Sequence, residues 1–293
     1  MYCYQDMHQF DTDPELLAEE NGAMKRHAQR IAAALAFALL GAGAARAEEP
    51  AADAKKERDA AVQAALDEFR KAYKGGDEDR AGAVRALGGA TKDRKVVDLL
   101  GKAALDPSPP VRAAAAEALA GYEKSREAGQ ALARALAASK KQPESQIACL
   151  DALGKVRDWS TAPAVLDQFN DPDSRVGAAA MRAAGAIRNP VFVKDLIKFL
   201  DDVAGGNAAR SASMEEWRAR RMEARAAAHQ ALCDITGESK EPPTDPGMAL
   251  LGGRRPGKEW EEWWKVYGAR TTAKLQKEEK DELDRIAKEK RPY

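Results

Sequence analysis

The sequence predicts an all-α fold in which short helical hairpins stack side by side, an α-solenoid, and three observations carry that reading. A segment recurs at Arg80–Gly88, Val111–Gly121, Gln146–Gly154 and Gly177–Gly185, and the copies align without forcing. Ala86, Ala118, Ala152 and Ala183 share one column; Leu87, Leu119, Leu153 and Ala184 share the next; Gly88, Ala120, Gly154 and Gly185 share the third. The steps between copies are 32, 34 and 31 residues, a period typical of arrays whose units cannot bury an apolar face alone. Second, apolar residues inside each unit fall three and four apart, and Asp, Asn, Ser and Pro punctuate the ends. Third, aromatic residues make up only 6% of the chain while alanine is abundant. Helices with such surfaces approach closely but bury little area each, so burial has to come from repetition.

Residues 1–23 are acidic, mixed and aperiodic, and are expected to be a misassigned N-terminal extension. The character changes at Met24. Lys25, Arg26 and Arg30 precede the small apolar run Ile31–Ala45, and Ala45-Arg46-Ala47 forms a small-x-small site. This is the three-part pattern of a secretory signal peptide over 24–47, with cleavage expected after Ala47 and a periplasmic or secreted mature chain. The run is shorter than the ~20 residues of a membrane-spanning helix. No cysteine stands at the cleavage site to carry a lipid.

The array is expected over 51–236. Val62, Leu66, Phe69 and Tyr73 recur at helical spacing, Gly75-Gly76 ends that helix, and Asp77 or Asp79 caps the next, which carries the first copy. In the second unit Val96, Val97, Leu100 and Ala103 line one face, and Asp106-Pro107 breaks the helix. Ser108 and Pro109 supply an N-cap and a first helical residue for the stripe Val111, Ala115, Ala118, Leu119 and Tyr122. The third unit spans 125–157 with Pro143 near the start of its second helix. The fourth spans 159–188, with Pro163 in its first helix and Asp171-Pro172-Asp173 before its second. The fifth opens with Asn189-Pro190 and buries Phe192, Val193, Leu196, Phe199 and Leu200. Its second helix, 215–235, is displaced by an insertion at 201–214 rich in Gly, Ala and Ser, and places Ala228, Ala231 and Leu232 on the stripe. Residues 237–268 read as a Pro- and Gly-rich loop followed by a Trp-rich cap. The charged tail, 269–293, offers the weak stripe Leu275, Leu283 and Ile286, as a solvated helix or a disordered segment.

These residues resemble the HEAT-repeat family over roughly 51–236. Pro163, Asp171 and Val176, and likewise Asp106, Val111 and Arg112, stand at the offsets where that family favours Pro, a turn Asp and Val-Arg. The resemblance implies a right-handed α-α superhelix of about five helix pairs, with arginines bonding turn aspartates in a ladder along the stack. The chain departs from the pattern at Asp98, where Pro is favoured, and at Gly177, where Arg is favoured; the ladder is therefore not expected to be continuous. The Thr236-Gly237 ending, the loop and Trp260-x-x-Trp263-Trp264 are similar to the closing element of some bacterial secreted members. Short HEAT-like repeats also occur in lyases that attach bilin pigments, work done inside the cell and at odds with an export signal.

The function classes narrow by exclusion. Residues 1–47 hold four basic and six acidic side chains, and without them the chain has 43 Lys+Arg against 41 Asp+Glu. That balance offers no argument for nucleic acid or an anionic membrane as partner. His229 is the one histidine of the mature chain, and Cys149 and Cys233 sit two units apart, beyond the ~7 Å limit of a disulfide. One His and two separated Cys cannot build a tetrahedral zinc site, and no nucleophile motif or phosphate loop is present. No enzymatic activity, metal or cofactor is expected. Two constellations remain. Trp217, Arg221 and Arg225 are four apart, with Arg218 flanking; they form either a partner-binding patch, since Trp and Arg dominate interface energetics, or a solvated helix. Trp260, Trp263 and Trp264 suit covering the apolar face that the last unit exposes, with ligand binding as the other reading. The expected role is a protein-binding scaffold acting through the second-helix face, or alternatively a structural spacer in an envelope assembly.

Overall fold

The structure, a computed structural model, describes residues 50–90, 93–201, 214–241 and 255–289. The signal segment expected at 24–47, the extension before it, Cys3 and most of the 201–214 insertion lie outside them. The chain divides into two compact units, Met1–Asp53 and Ala54–Tyr293, and the repeat array lies in the second.

The fold is all-α: eleven α-helices and no strand among the described residues. They are α1 (Pro50–Ala72), α2 (Asp77–Ala90), α3 (Arg94–Ala103), α4 (Pro109–Leu119), α5 (Arg126–Ala138), α6 (Pro143–Val156), α7 (Ala162–Leu166), α8 (Ser174–Ile187), α9 (Val193–Asp201), α10 (Met214–Thr236) and α11 (Pro256–Glu289). Single 3₁₀ turns, Trp159–Thr161 and Pro190–Phe192, lead into α7 and α9. None of these helices is long and apolar enough to cross a membrane.

Local chemistry sets where the helices begin. Asp93, Ser125, Asp158, Asp173 and Asn189 each accept a bond from a backbone N–H in the turn they open, satisfying a donor that has no intrahelical partner. Ser108 departs from its expected role. It occupies the N-cap position of α4 but makes no cap bond; its hydroxyl donates to Asp77 of the previous pair at 2.8 Å. Pro110, at the second helical position, has no N–H for a cap to satisfy, which makes that reassignment inexpensive.

The helices pack as a solenoid. The second helices α2, α4, α6, α8 and α10 stack in that order, with the first helices on the other side. The aligned columns explain the contact. Gly88 lies against Ala118, Gly154 against Ala183 and Gly185 against Ala231. A side chain on Gly154 would place its Cβ 3.3 Å from the Ala183 Cα, and one on Gly185 would sit 3.0 Å from the Ala231 Cα. In three of the four steps the glycine of one copy is thus the socket for the alanine of the next, letting the two helices approach closely; the second copy has Ala120 in that column. The leucine column, Leu87, Leu119 and Leu153, is buried behind this seam.

The C-terminus differs from the expected division into a cap and a charged tail. α11 runs without a break from Pro256 through the tryptophans to Glu289. Its start is fixed by Asp201 at the end of α9, whose Oδ1 accepts the Gly257 N–H at 3.0 Å. A Cβ on Gly257 would lie 2.7 Å from the Ile197 carbonyl oxygen, so only glycine admits this approach.

Gly185→Val is expected to destabilise the protein by about 1–3 kcal/mol through overpacking against the α10 backbone. Gly82 in α2 has open space where a Cβ would stand, with nothing within 4 Å, and Gly82→Ala is expected to stabilise by about 0.5–1 kcal/mol. Urea denaturation of the two variants checks the contrast.

Candidate functional site

The turn ladder starts as the resemblance implies and then changes chemistry. Arg80 pairs with Asp77 of its own helix at 2.8 Å and with Asp106 of the next turn at 3.3 Å. Tyr73 donates to the same Asp106 carboxylate at 2.6 Å, and burial together with this bond pushes its phenol up to about 12. Arg112 holds the Asp106 and Pro107 carbonyl oxygens at 2.8 and 2.9 Å instead of a carboxylate, and reaches Gln142 and Ser145 of the third pair. The same column holds Gln146 in the third pair, whose amide donates to Gln168 at 3.1 Å and to Asp171 at 3.3 Å. In the fourth it holds Gly177, which faces the Phe169 carbonyl oxygen and extends nothing onward. Over the first four pairs the ladder is ionic, then neutral, then interrupted at Gly177; the same column holds the buried Arg225 in the fifth pair.

The arginine patch expected on the surface is turned inward. Arg221 is 8% exposed and Arg225 1%, and the Arg221 guanidinium sits 4.3 Å from the centroid of the Phe199 ring. The reason is periodicity. Positions 221 and 225 fall on the same helix face as Ala228, Leu232 and Ile235, all buried, so spacing that grouped the arginines with each other also grouped them with the core. The side chains of Trp217 and Arg218 lie outside the described residues.

Of the tryptophans, Trp260 is 1% exposed. It packs edge-on against His229 at 6.0 Å and against Trp263 at 5.9 Å, with the Lys240 ammonium 5.3 Å from its ring. Trp263 and Trp264 are half-buried against the core. Trp264 also lines an open groove of about 570 Å³ with Trp159, Val191, Lys194 and Thr272.

The tail of α11 meets the array along its turn edge. Lys124, Arg157 and Arg188 are the described non-glycine residues with positive φ, at 54°, 55° and 56°. Each stands directly before the cap of the next unit's first turn, Ser125, Asp158 and Asn189. Lys124 pairs with Glu279 and, at 3.4 Å, with Glu282; Arg157 pairs with Glu282 at 2.5 Å and Glu123 at 2.9 Å; Arg188 pairs with Glu278 at 3.5 Å. Sequence reasoning missed this edge. The signal was present as the dipeptides Lys124-Ser125, Arg157-Asp158 and Arg188-Asn189, basic then capping, at the repeat period.

The outward face of the second helices carries one polar residue per copy immediately before the aligned alanine: Arg85, Glu117, Asp151, Arg182 and Gln230, all exposed. Arg85 and Glu117 approach to 4.0 Å. Around them lie small exposed residues such as Gly82, Ala86, Ala113 and Ala226.

Among the described residues no group of three or more His, Cys, Asp and Glu could hold a metal ion. Cys149 and Cys233 are unbridged. Burial pushes the Cys149 thiol up to about 12 against the nearby Arg112 charge, and burial is also the main cause raising Cys233. Neither has the thiolate character of a nucleophile.

The family model for HEAT repeats matches residues 66–142 and 131–233, more than half of the chain. This chain belongs to the HEAT-repeat family. No curated protein matches it. The HEAT units matched include the turn ladder and the glycine–alanine seam, and HEAT repeats are commonly protein-interaction scaffolds. The α11 strap lies beyond the matched residues.

Trp260→Ala is expected to cost about 3–5 kcal/mol, as for other buried aromatic truncations, and Trp264→Ala, at a half-buried site, measurably less; chemical denaturation separates them. Arg225→Glu is expected to destabilise by roughly 3 kcal/mol or more, because a carboxylate replaces a buried cation. A lowered thermal transition checks this, and an unchanged one would return Arg225 to the surface.

Proposed function

We propose that this chain is an exported, non-catalytic scaffold that holds a protein partner on the outward face of its second helices. The observation that carries the reading is the exposed row Arg85, Glu117, Asp151, Arg182 and Gln230, one residue per unit on a floor of small side chains. A partner lying across the stack meets a polar side chain at every step, and the small floor lets its backbone come close. Membership of a family commonly used for protein interaction supports the same reading. Export rests on the three-part pattern of 24–47 alone. The buried arginines Arg221 and Arg225 move the expected contact away from the start of α10 and onto this row.

Two measurements test it. Mass analysis of the chain from the exported fraction of its native host is expected to give an N-terminus at Glu48, and a cytosolic chain retaining 24–47 would remove the export half. Cross-linking of the exported form is expected to trap a discrete partner that Asp151→Lys with Arg182→Glu loses by at least about tenfold, a loss of about 1.4 kcal/mol or more, at unchanged helicity. Capture insensitive to that pair would favour a structural spacer.

A further inference from the structure

The turn edge carries a second interaction surface, distinct from the second-helix face. Three residues of the described chain adopt the left-handed region without being glycine, and all three are basic: Lys124, Arg157 and Arg188. That conformation disfavours any side chain, and glycine would adopt it freely. A basic residue recurs there at the repeat period although glycine would be less strained, and what it adds over glycine is its side chain. Each of the three reaches the same helix. On α11 the contacting residues are Leu275, which is 3% exposed, and Glu278, Glu279 and Glu282. Their spacing of i, i+3, i+4 and i+7 is one face of a helix. Leu275 lines the same small pocket as Trp159, Ile187 and the three basic residues. The Lys124 side chain is 4% exposed and that of Glu279 13%, so this end of the row is sheltered from solvent and screened less by salt than an open surface pair. The outer residues of the same helix segment, such as Leu283 at 44%, remain exposed.

We propose that Lys124, Arg157 and Arg188, with the apolar spot at Trp159 and Ile187, form a docking track for an acidic amphipathic helix, and that the end of α11 occupies it as a built-in, displaceable ligand. The partner it fits is a helix presenting an apolar anchor followed by carboxylates at i+3, i+4 and i+7. The array supplies one cation per unit along its turn edge, and the ligand helix supplies carboxylates along one face, Glu282 being shared by Lys124 and Arg157, so charge complementarity selects the ligand. A tail tethered in cis competes at high effective concentration, so an outside helix binds only when the tail is released.

The test uses the full chain. In one variant Leu275→Ala, Glu278→Lys, Glu279→Lys and Glu282→Lys strip the ligand face from the tail. Hydrogen exchange of residues 277–289 is expected to accelerate about tenfold or more while that of α5, α6 and α8 stays unchanged. A labelled peptide of natural sequence covering residues 271–289 is then expected to bind the variant, to bind the wild-type chain at least tenfold more weakly, and to be displaced by high salt. In a second variant Lys124→Gly, Arg157→Gly and Arg188→Gly relieve the backbone and remove the track; its tail is expected to be released. A tail that stays protected in either variant, or a peptide that binds the wild-type chain as well as the first variant or not at all, would overturn the proposal.

Discussion

The contact on which the rest of the structure depends is the seating of one glycine against the alanine of the next unit. Gly88 on Ala118, Gly154 on Ala183 and Gly185 on Ala231 bring the second helices to backbone distance at three of the four steps of the stack. At that separation alanine suffices to fill the seam, and the larger apolar side chains, Leu119, Leu150, Leu153, Met181 and Ile187, are freed to fill the space between first and second helices. The composition follows from this geometry. A chain poor in aromatics can still close a core when the elements are close and numerous, because packing density, not side-chain size, sets how much contact each methyl makes.

A stack built this way has two problems that a globular core does not. Its last unit exposes an apolar end, and its units are joined only to their neighbours. α11 addresses both. Its first turns, pinned by Asp201 at Gly257, set Trp260 over α10 against His229. Its later turns reach back along the turn edge to the two ends of the third unit through Lys124 and Arg157. A single helix therefore links elements far apart in a chain whose other contacts are local. The acidic character that makes this segment look like a solvated tail is what lets it bind a basic edge.

The fold was readable from the sequence because repetition gives the same information several times. A column of alanines at 86, 118, 152 and 183 is hard to produce by any other architecture. The cap residues were readable in position, though not always in chemistry: Ser108 stands where a cap is expected and bonds Asp77 instead. The arginines at 221 and 225 were misjudged because a four-residue spacing defines a face without saying whether that face points in or out. The neighbours decide, and Ala228 and Leu232 belong to the same stripe. The turn edge was invisible for a different reason. Lys124, Arg157 and Arg188 each look like an ordinary surface charge, and their common role emerges only when the backbone at each is seen to be left-handed and a distant helix is seen to lie across all three.

The most direct measurement of the central claim is a nuclear Overhauser spectrum with methyl-labelled alanine. Strong cross-peaks are predicted between the Gly154 α-protons and the Ala183 methyl, and between the Gly185 α-protons and the Ala231 methyl. Absence of both, with the helices intact, would mean that the second helices do not meet along this seam, and the account of the stack would fall.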